Sequence, residues 1–312
     1  MRSGARVFLS AGEPSGEAHG AALVAALRSL EPDTLVDALG TDTLAAAGAR
    51  LVASAHGLAA FGLVETAAAI PRHVRALGRI RRALQTGEYA AATLIDYPGF
   101  HLRVARYATE RGIPVLYYVP PQVWAWAPGR ARTLRRSVTL VASVLPFEPA
   151  LLARLNIRST FVGHPVLEAV RPTRHVARRL LGLTDHRPVI AMLPGSRAGD
   201  VDRHWPLFLD TARQLHARMP DVAVVLAAVP AGEYCLGGDI PILVTNAWNA
   251  LAAADAALCK SGSATLEAAV AGVPMVIAYR LHPATFALAR RLVRVPYVGL
   301  PNLIAGRMVV PE

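Results

Sequence analysis

The chain has 312 residues, 53% hydrophobic and 18% charged, which indicates a globular protein long enough for two domains that each bury a core. Its formal net charge of +11 favours phosphates, anionic lipid or nucleic acid as partners. No apolar run reaches the roughly 18–20 residues of a membrane span, and the N-terminus lacks a signal-peptide core. Two cysteines are too few for a disulfide framework or a metal cluster, so we expect a cytoplasmic protein.

The chain opens with a short apolar strand at 6–11, a glycine loop and a helix at 21–30. This order begins a doubly wound sheet, in which ligands bind at loops that follow the carboxyl ends of strands. The loop does not follow GxGxxG, which argues against a dinucleotide site, and a tight turn alone would also explain its glycines. Its polar residues favour a site, with these candidates: Glu13, Ser15, Gly16, Glu17 and His19.

A basic amphipathic helix is predicted over residues 70–84. One face is apolar and consists of Ile70, Val74, Leu77, Ile80 and Leu84. Arginines occupy the other faces, a pattern typical of a solvated surface helix and also of a helix lying on anionic lipid. Because the preceding segment 57–65 is apolar, the lipid alternative stays open for the following residues: Phe61, Leu63, Val64, Arg72, Arg75, Arg79 and Arg82.

A buried-type strand at 91–95 ends in Asp96. An acid at the carboxyl end of a parallel strand is typical of a catalytic residue, although an Asx turn before Pro98 is the alternative. The next strand, at 114–119, runs into a proline- and tryptophan-rich loop that would form a core plug or one wall of a cleft. Its candidate residues are Gln122 and Trp124.

A linker is predicted at 163–172, and strands and helices resume after it. A strand at 188–193 feeds a loop in which Arg197 is suited to a phosphate, and a helix is predicted at 205–219. The acids Asp200 and Asp202 match the DxD pattern of metal-using sugar transferases. We discount a metal here because acids at a helix start are favoured as caps. Asn246, a further candidate for substrate binding, opens a later helix, and one more helix is predicted at 284–292.

The stretch from Lys260 to Glu267 is a loop that opens a helix. Backbone N–H groups at such a helix start form an anion site, and a carboxylate one turn further in can bind the two hydroxyls of a ribose. Lys260 is the only lysine in the sequence, which suggests a site that needs an ammonium group. An N-capped helix with Ser263 as its cap is the simpler alternative. The candidates are Lys260, Ser261, Gly262, Ser263, Ala264, Thr265 and Glu267.

These patterns predict two α/β halves with ligand loops that face a cleft, one half carrying anion-binding residues and the other an acid. The sequence also resembles the lipid-A-disaccharide synthase family in motifs that run in order along nearly the whole chain. They lie at 12–20, 61–65, 96–100, 118–126, 145–148, 163–165, 193–197, 260–267 and 301–303.

The resemblance implies a GT-B fold, with a membrane- and acceptor-binding domain at 1–165 and a UDP-sugar domain at 166–312. It implies metal-independent, inverting transfer from UDP-2,3-diacylglucosamine to 2,3-diacylglucosamine 1-phosphate on the inner membrane, without a cofactor. Asp96 is then the expected base, with His19 as the second choice. Arg197 and Lys260 would stabilise the departing UDP, and Glu267 would hold its ribose.

The chain departs from the resemblance at Glu17, Gly99 and His101, where many members have Asp, Asp and Asn, and the family continues past Glu312 into further helices. Two alternatives therefore stay open, namely another UDP-sugar enzyme, such as an epimerase, and a non-catalytic UDP-sugar or lipid-binding protein. A nucleic-acid partner is not expected, because the aromatic residues gather in one proline loop. A homodimer is left open.

Overall fold

The structure is a computed structural model that describes residues 4–58, 63–124, 128–230, 232–281 and 295–312. The predictions made for Phe61, for Trp126 and for a helix at 284–292 lie outside these ranges, as do the side chains of Leu63 and Val64. The chain divides into two units, Met1–Pro165 and Val166–Glu312.

The first unit is built on a seven-stranded parallel sheet with the strand order β3-β2-β1-β4-β5-β6-β7. Its strands are β1 Arg6–Ala11, β2 Leu35–Gly40, β3 Arg50–Ser54, β4 Ala91–Ile95, β5 Val115–Tyr118, β6 Leu140–Ser143 and β7 Ser159–Phe161. Its helices are α1 Pro14–Leu30, α2 Asp42–Ala46, α3 Leu63–Thr86, α4 Pro98–Thr109, α5 Pro128–Ser137 and α6 Glu148–Arg154.

The second unit holds a five-stranded parallel sheet with the order β10-β9-β8-β11-β12. Its strands are β8 Val189–Leu193, β9 Ala223–Ala227, β10 Ile242–Thr245, β11 Ala256–Lys260 and β12 Met275–Ala278. Its described helices are α7 Arg174–Leu180, α8 Ala198–Arg218, α9 Ala247–Ala253, α10 Ser263–Val270 and α11 Leu300–Ala305.

Several predicted boundaries are wrong. The first helix begins at Pro14 rather than 21, because the fixed φ of proline suits the first helical position. The helix predicted from Trp205 begins at Ala198 and contains Pro206 in its interior. The sequence analysis missed β3, β7 and α7, and the two strands are short, partly exposed edge strands that lack a continuous apolar run.

Helix α3 packs on the sheet with a different face from the predicted one. Ala69, Ala76, Ile80 and Leu84 are buried, whereas Ile70 and Val74 are 55% and 62% exposed. The predicted stripe was therefore wrong for its first two members. The helix presents two apolar side chains to solvent beside the exposed arginines 72, 75, 79 and 82. Among the residues that the structure describes, no helix combines the length and the apolar character needed to cross a membrane.

The second unit contains a fully buried guanidinium. Arg178 on α7 is 1% exposed. Its N–H groups donate to four backbone carbonyls and one carboxylate, which belong to Ala253, Thr184, Asp185, Arg187 and Asp255. The Asp255 carboxylate also accepts from Arg174 and from the Val189 N–H, and these bonds outweigh burial and lower the pKa of Asp255. The cluster ties α7 to the amino ends of β8 and β11.

We predict that Asp255→Asn destabilises the second unit by about 2 kcal/mol, because it leaves a buried guanidinium without its counter-charge. The loss stays below the largest values for buried pairs because the Asp255 side chain is 44% exposed. Urea unfolding of the full chain measures the effect. The matched control is Asp185→Asn, whose side chain is 62% exposed. Equal midpoints for the two variants would contradict the assigned role of the cluster.

Candidate functional site

A pocket of about 130 Å³ opens in the second unit at the carboxyl ends of β8, β9 and β11. Its polar lining comes from two loops, one with Gly195 and Ser196 after β8 and one from Lys260 onward after β11. The structure therefore brings together five of the predicted substrate-binding residues, which are Lys260, Gly262, Ser263, Ala264 and Glu267. Leu193, Ala227, Ala228, Val229 and Ala247 complete the wall.

The amino end of α10 forms one side of the pocket. Gly262 is the N-cap with φ 152°, and no side-chain cap is made there, so the alternative with Ser263 as the cap is wrong. The first N–H groups of a helix lack intrahelical partners, and the helix dipole adds positive potential at this end. The Thr265 N–H is an exception because it donates to the Gly262 carbonyl oxygen at 3.1 Å. The anion-binding character predicted for this turn thus rests on Ser263 and Ala264.

Two predicted substrate-binding hydroxyls have structural partners within the second unit. Ser261 donates to the Val298 carbonyl oxygen at 3.0 Å, and Thr265 donates to the Gly262 carbonyl oxygen at 2.7 Å. Both residues are buried. Asn246 likewise caps α9, its side-chain oxygen accepting from the Asn249 N–H at 2.9 Å. These three side chains shape the loops around the pocket, and the substrate-binding role expected for them stays a prediction.

Lys260 is held by two groups at the pocket. Its ammonium lies 3.1 Å from an Asp200 carboxylate oxygen, and both side chains are only 15% exposed. It also lies 5.5 Å from the centroid of the Tyr279 ring, within the range of a cation–π contact. Asp200 is in the first turn of α8, but it is not the cap, because the N-cap is Arg197. The first acid of the DxD pattern thus pairs with the single lysine.

His204 is a site-supporting residue that the sequence analysis missed. Its Nδ1 donates to the Asp200 carbonyl oxygen at 2.7 Å, and its Nε2 accepts from the Arg280 N–H at 3.0 Å. Burial lowers the pKa of His204, which agrees with a neutral ring. The ring ties the first turn of α8 to the segment after β12. Its spacing of four from Asp200 is the one signal in the sequence that could have indicated it.

Glu267 lies one turn into α10 and lines the pocket. Burial raises the pKa of its carboxyl group. The side chain remains an acceptor for hydroxyl groups in either protonation state. A half-buried carboxyl one turn from an anion-binding helix end is the arrangement that the sequence predicted for ribose binding.

In the first unit, Asp96 follows β4 with φ 50°, and Tyr97 follows it with φ 49°. Tyr97 is the N-cap of α4 and makes no side-chain cap. Burial, with the charge of Glu13 as a second cause, raises the pKa of Tyr97 to about 12. Glu13 and Asp96, both predicted site residues, therefore lie at the same edge of the sheet, at the ends of β1 and β4.

His19 also lies at this edge, on the second turn of α1. Its ring stands edge-on to Tyr118, with the ring centroids 6.1 Å apart. Burial, and then the charge of His19, lowers the pKa of His164. The sequence analysis gave His164 no role, and its motif Gly163–Pro165 was the available signal.

The remaining residues of the first glycine motif belong to α1 rather than to a loop. Gly16 is buried, and an added Cβ there would meet the Ile95 carbonyl oxygen at 3.6 Å. Glu17 is buried and accepts a hydrogen bond from the Thr41 hydroxyl. Ser15 is exposed. The structure thus places Gly16 in the interior, with room for a Cβ, and gives Glu17 a structural partner, while the site predicted at this motif stays a prediction.

The proline-tryptophan loop is anchored by a buried carboxylate. Glu148 is 1% exposed and accepts from the N–H groups of Val144 and Leu145 and from Nε1 of Trp124 at 3.3 Å. The Trp124 ring stands edge-on to Phe147 at 5.1 Å. Gln122 is exposed. Sequence analysis missed Glu148, although it stands in a quoted motif.

The comparisons with known proteins agree on a family. The chain matches the family described as lipid-A-disaccharide synthetase over residues 7–312. The lipid-A-disaccharide synthase of Geobacter sulfurreducens is 38% identical over 98% of this chain and 83% of its own length. The chain belongs to the lipid-A-disaccharide synthetase family. It is a glycosyltransferase that forms the lipid A disaccharide, as the sequence analysis predicted.

Two solved structures show the same fold at low identity. The UDP-GlcNAc 2-epimerase from Neisseria meningitidis aligns with a TM-score of 0.61 at 12% identity, over 97% of this chain and 90% of that one. The glycotransferase of kitacinnamycin aligns with a TM-score of 0.59 at 18% identity, over 98% and 90%. The predicted α/β fold of GT-B type with two parallel sheets is confirmed. The family match does not favour the epimerase alternative.

We predict that Gly195→Ala lowers the free energy of unfolding of the second unit by about 1–3 kcal/mol. A Cβ at Gly195 would lie 2.5 Å from the Cβ of Asp200, and φ there is 146°. The control is Gly199→Ala on α8, where nothing lies within 4 Å of the added atom, so it should be neutral or stabilising by up to about 1 kcal/mol. Thermal unfolding compares the two, and a neutral Gly195→Ala would contradict the close approach.

Proposed function

We propose that the chain transfers 2,3-diacylglucosamine from UDP to the 6-hydroxyl of 2,3-diacylglucosamine 1-phosphate. The products are a β-1,6-linked disaccharide phosphate and UDP. The observation that carries the proposal is the pocket at α10, which combines a helix amino end, one ammonium and one carboxyl group in a chain of this family. A diphosphate fits the helix end and the ammonium, and a ribose fits Glu267.

The reaction is a single displacement at the anomeric carbon of the donor sugar. The acceptor oxygen forms the new bond as the bond from the anomeric carbon to the phosphate oxygen breaks, so the configuration inverts. Asp96 takes the proton of the acceptor hydroxyl as its oxygen attacks. His19, which lies at the same edge of the first sheet, is the second candidate for this proton.

The departing UDP carries the negative charge that develops in the reaction. The first turn of α10 and the Lys260 ammonium stabilise it, and Arg197 adds a guanidinium at the start of α8. Lys260 has three N–H donors, and its bond to Asp200 uses one of them. The remaining donors are available to the diphosphate, while Asp200 fixes the side chain in place. Fixed charges of this kind supply stabilisation without reorganisation during the reaction.

The first assay mixes both acylated substrates with the purified chain in detergent and follows UDP and disaccharide by mass spectrometry. We expect Asp96→Asn to lower kcat by a factor of roughly 10²–10⁴ through loss of the base, with UDP affinity unchanged. Glu267→Ala should instead weaken UDP binding, measured by calorimetry, by roughly tenfold or more. Asp42→Asn is the control, because this exposed carboxylate at the start of α2 has no proposed role.

The result that overturns the base assignment is disaccharide formation that survives Asp96→Asn, and the test would then move to His19. Tight UDP binding by a chain that makes no disaccharide from these substrates would contradict the proposed reaction. UDP binding that Glu267→Ala leaves intact would remove Glu267 from the donor site.

We further propose that the chain works while bound peripherally to an anionic membrane surface, where both acylated substrates are dissolved. The support comes from α3, which presents Ile70 and Val74 to solvent beside exposed arginines. Exposed apolar side chains would enter the acyl boundary, and the guanidinium groups would remain among the lipid phosphates.

We predict that Arg75→Glu together with Arg79→Glu weakens binding to vesicles that contain anionic phosphatidylglycerol by about 30-fold or more. Each basic residue near such a surface contributes about 1 kcal/mol, and reversal adds repulsion. The matched control is the same charge reversal in the second unit, Arg179→Glu together with Arg218→Glu, at two exposed arginines. Co-sedimentation at low and high salt measures the binding. An equal loss in both double variants would show a general charge effect instead of a surface at α3.

A further inference from the structure

Asp96 and Tyr97 are two consecutive non-glycine residues in the left-handed region, with φ of 50° and 49°. This conformation costs an L-residue free energy, and it persists only where the surroundings hold it in place. Since the Cα–Cβ bond of Asp96 is fixed by this backbone, whatever holds the backbone also sets the direction in which the side chain leaves it.

Hydrogen bonds hold both the N–H group and the carbonyl group of Asp96. The Asp96 N–H donates to the Tyr118 carbonyl oxygen at 3.0 Å. The Asp96 carbonyl oxygen accepts from the Tyr117 hydroxyl at 2.6 Å and from Nδ1 of His101 at 2.7 Å. These side chains come from β5 and α4, and both are fully buried. Two side chains thus use both acceptor positions of one carbonyl group.

The direction of the hydrogen bonds defines the state of His101. A carbonyl oxygen can only accept, so Nδ1 carries the proton. Nε2 then accepts from the hydroxyl of Ser10, a fully buried residue of β1, at 2.8 Å. Burial lowers the pKa of His101 to about 4, which agrees with a neutral ring. Burial, and then the charge of Asp96, raises the pKa of Tyr117, so its phenol keeps the proton it donates.

We propose that His101 and Tyr117 are positioning residues for Asp96. By donating to its carbonyl oxygen they hold the left-handed backbone that aims the carboxylate, and Ser10 selects the tautomer of His101 that can donate. This inference rests on the proposed role of Asp96 as the base. Neither side chain needs to contact a substrate for this role, so we expect substitutions of His101 or Tyr117 to change kcat rather than KM.

Two amide variants separate positioning from packing. The side-chain nitrogen of His101→Asn lies where Nδ1 was, so it keeps the donor to Asp96 and loses the contact with Ser10. The longer His101→Gln places its amide near Ser10 and loses the donor to Asp96. Each variant gives up one buried hydrogen bond, so we expect similar thermal midpoints. We expect kcat to fall roughly 10–100-fold in His101→Gln and less than roughly 3-fold in His101→Asn, with KM unchanged in both.

Tyr117→Phe is the second test, because it removes the other donor and keeps the ring. It should lower kcat, and its combination with His101→Gln should be non-additive, since both act on one carbonyl group. Equal kcat losses in the Asn and Gln variants, or losses that follow their thermal midpoints, would overturn the positioning role. A change confined to KM would do the same.

A measurement independent of catalysis separates this inference from the base assignment. Nitrogen NMR of the histidine rings, with His101 assigned by its absence in His101→Asn, should show a protonated Nδ1 and an unprotonated Nε2 at neutral pH. The opposite tautomer would overturn the inference whatever Asp96 does. If the expected tautomer, protonated at Nδ1, is found and Asp96→Asn still forms disaccharide, the base assignment fails and the network holds a residue of another function.

Discussion

The parallel pairing of every strand in both sheets is the constraint on which both candidate sites depend. In a parallel sheet, all carboxyl ends lie on one edge, and each following helix begins there. In the second unit, this places the loop after β8 and the loop after β11 around one pocket. In the first unit, it places Glu13, Asp96 and Tyr118 at one edge although they are far apart in the chain. The candidate binding and catalytic residues lie at these edges because the amino ends of helices meet the carboxyl ends of strands there.

The charges of the protein fall into three physically different classes. Arg178 is buried and fully bonded, and it holds secondary structure together. Lys260 is largely shielded and paired with Asp200, which keeps an ammonium fixed at the pocket. The arginines of α3 are exposed and lack nearby acids in sequence, so they contribute a surface potential. The basic residues behind the net charge of +11 thus lie in three different environments, and the proposed anion binding and membrane attraction would use only the last two.

The backbone of the proposed base is held by hydrogen bonds. Left-handed Asp96 and Tyr97 turn the chain sharply from β4 into α4, and three buried side chains on neighbouring elements fix that turn. The hydrogen bonds that hold this turn are thus made to the Asp96 backbone, next to the side chain proposed to react.

The sequence by itself determined most of the succession of strands and helices apart from β3, β7 and α7, and also the acid after β4, the helix-opening loop from Lys260 to Glu267, and the family. These follow from local patterns, since apolar runs, glycines and short motifs act over a few residues. Only the tertiary structure decided that Asp200 pairs with Lys260, that the hydroxyls of Ser261 and Thr265 bind backbone carbonyls, and that Ile70 and Val74 of α3 face solvent. It also decided that Ser10 contacts His101, 91 positions further along the chain. Side-chain partners at such separations depend on which strands become neighbours and on the direction in which each side chain leaves its element, and local patterns carry neither.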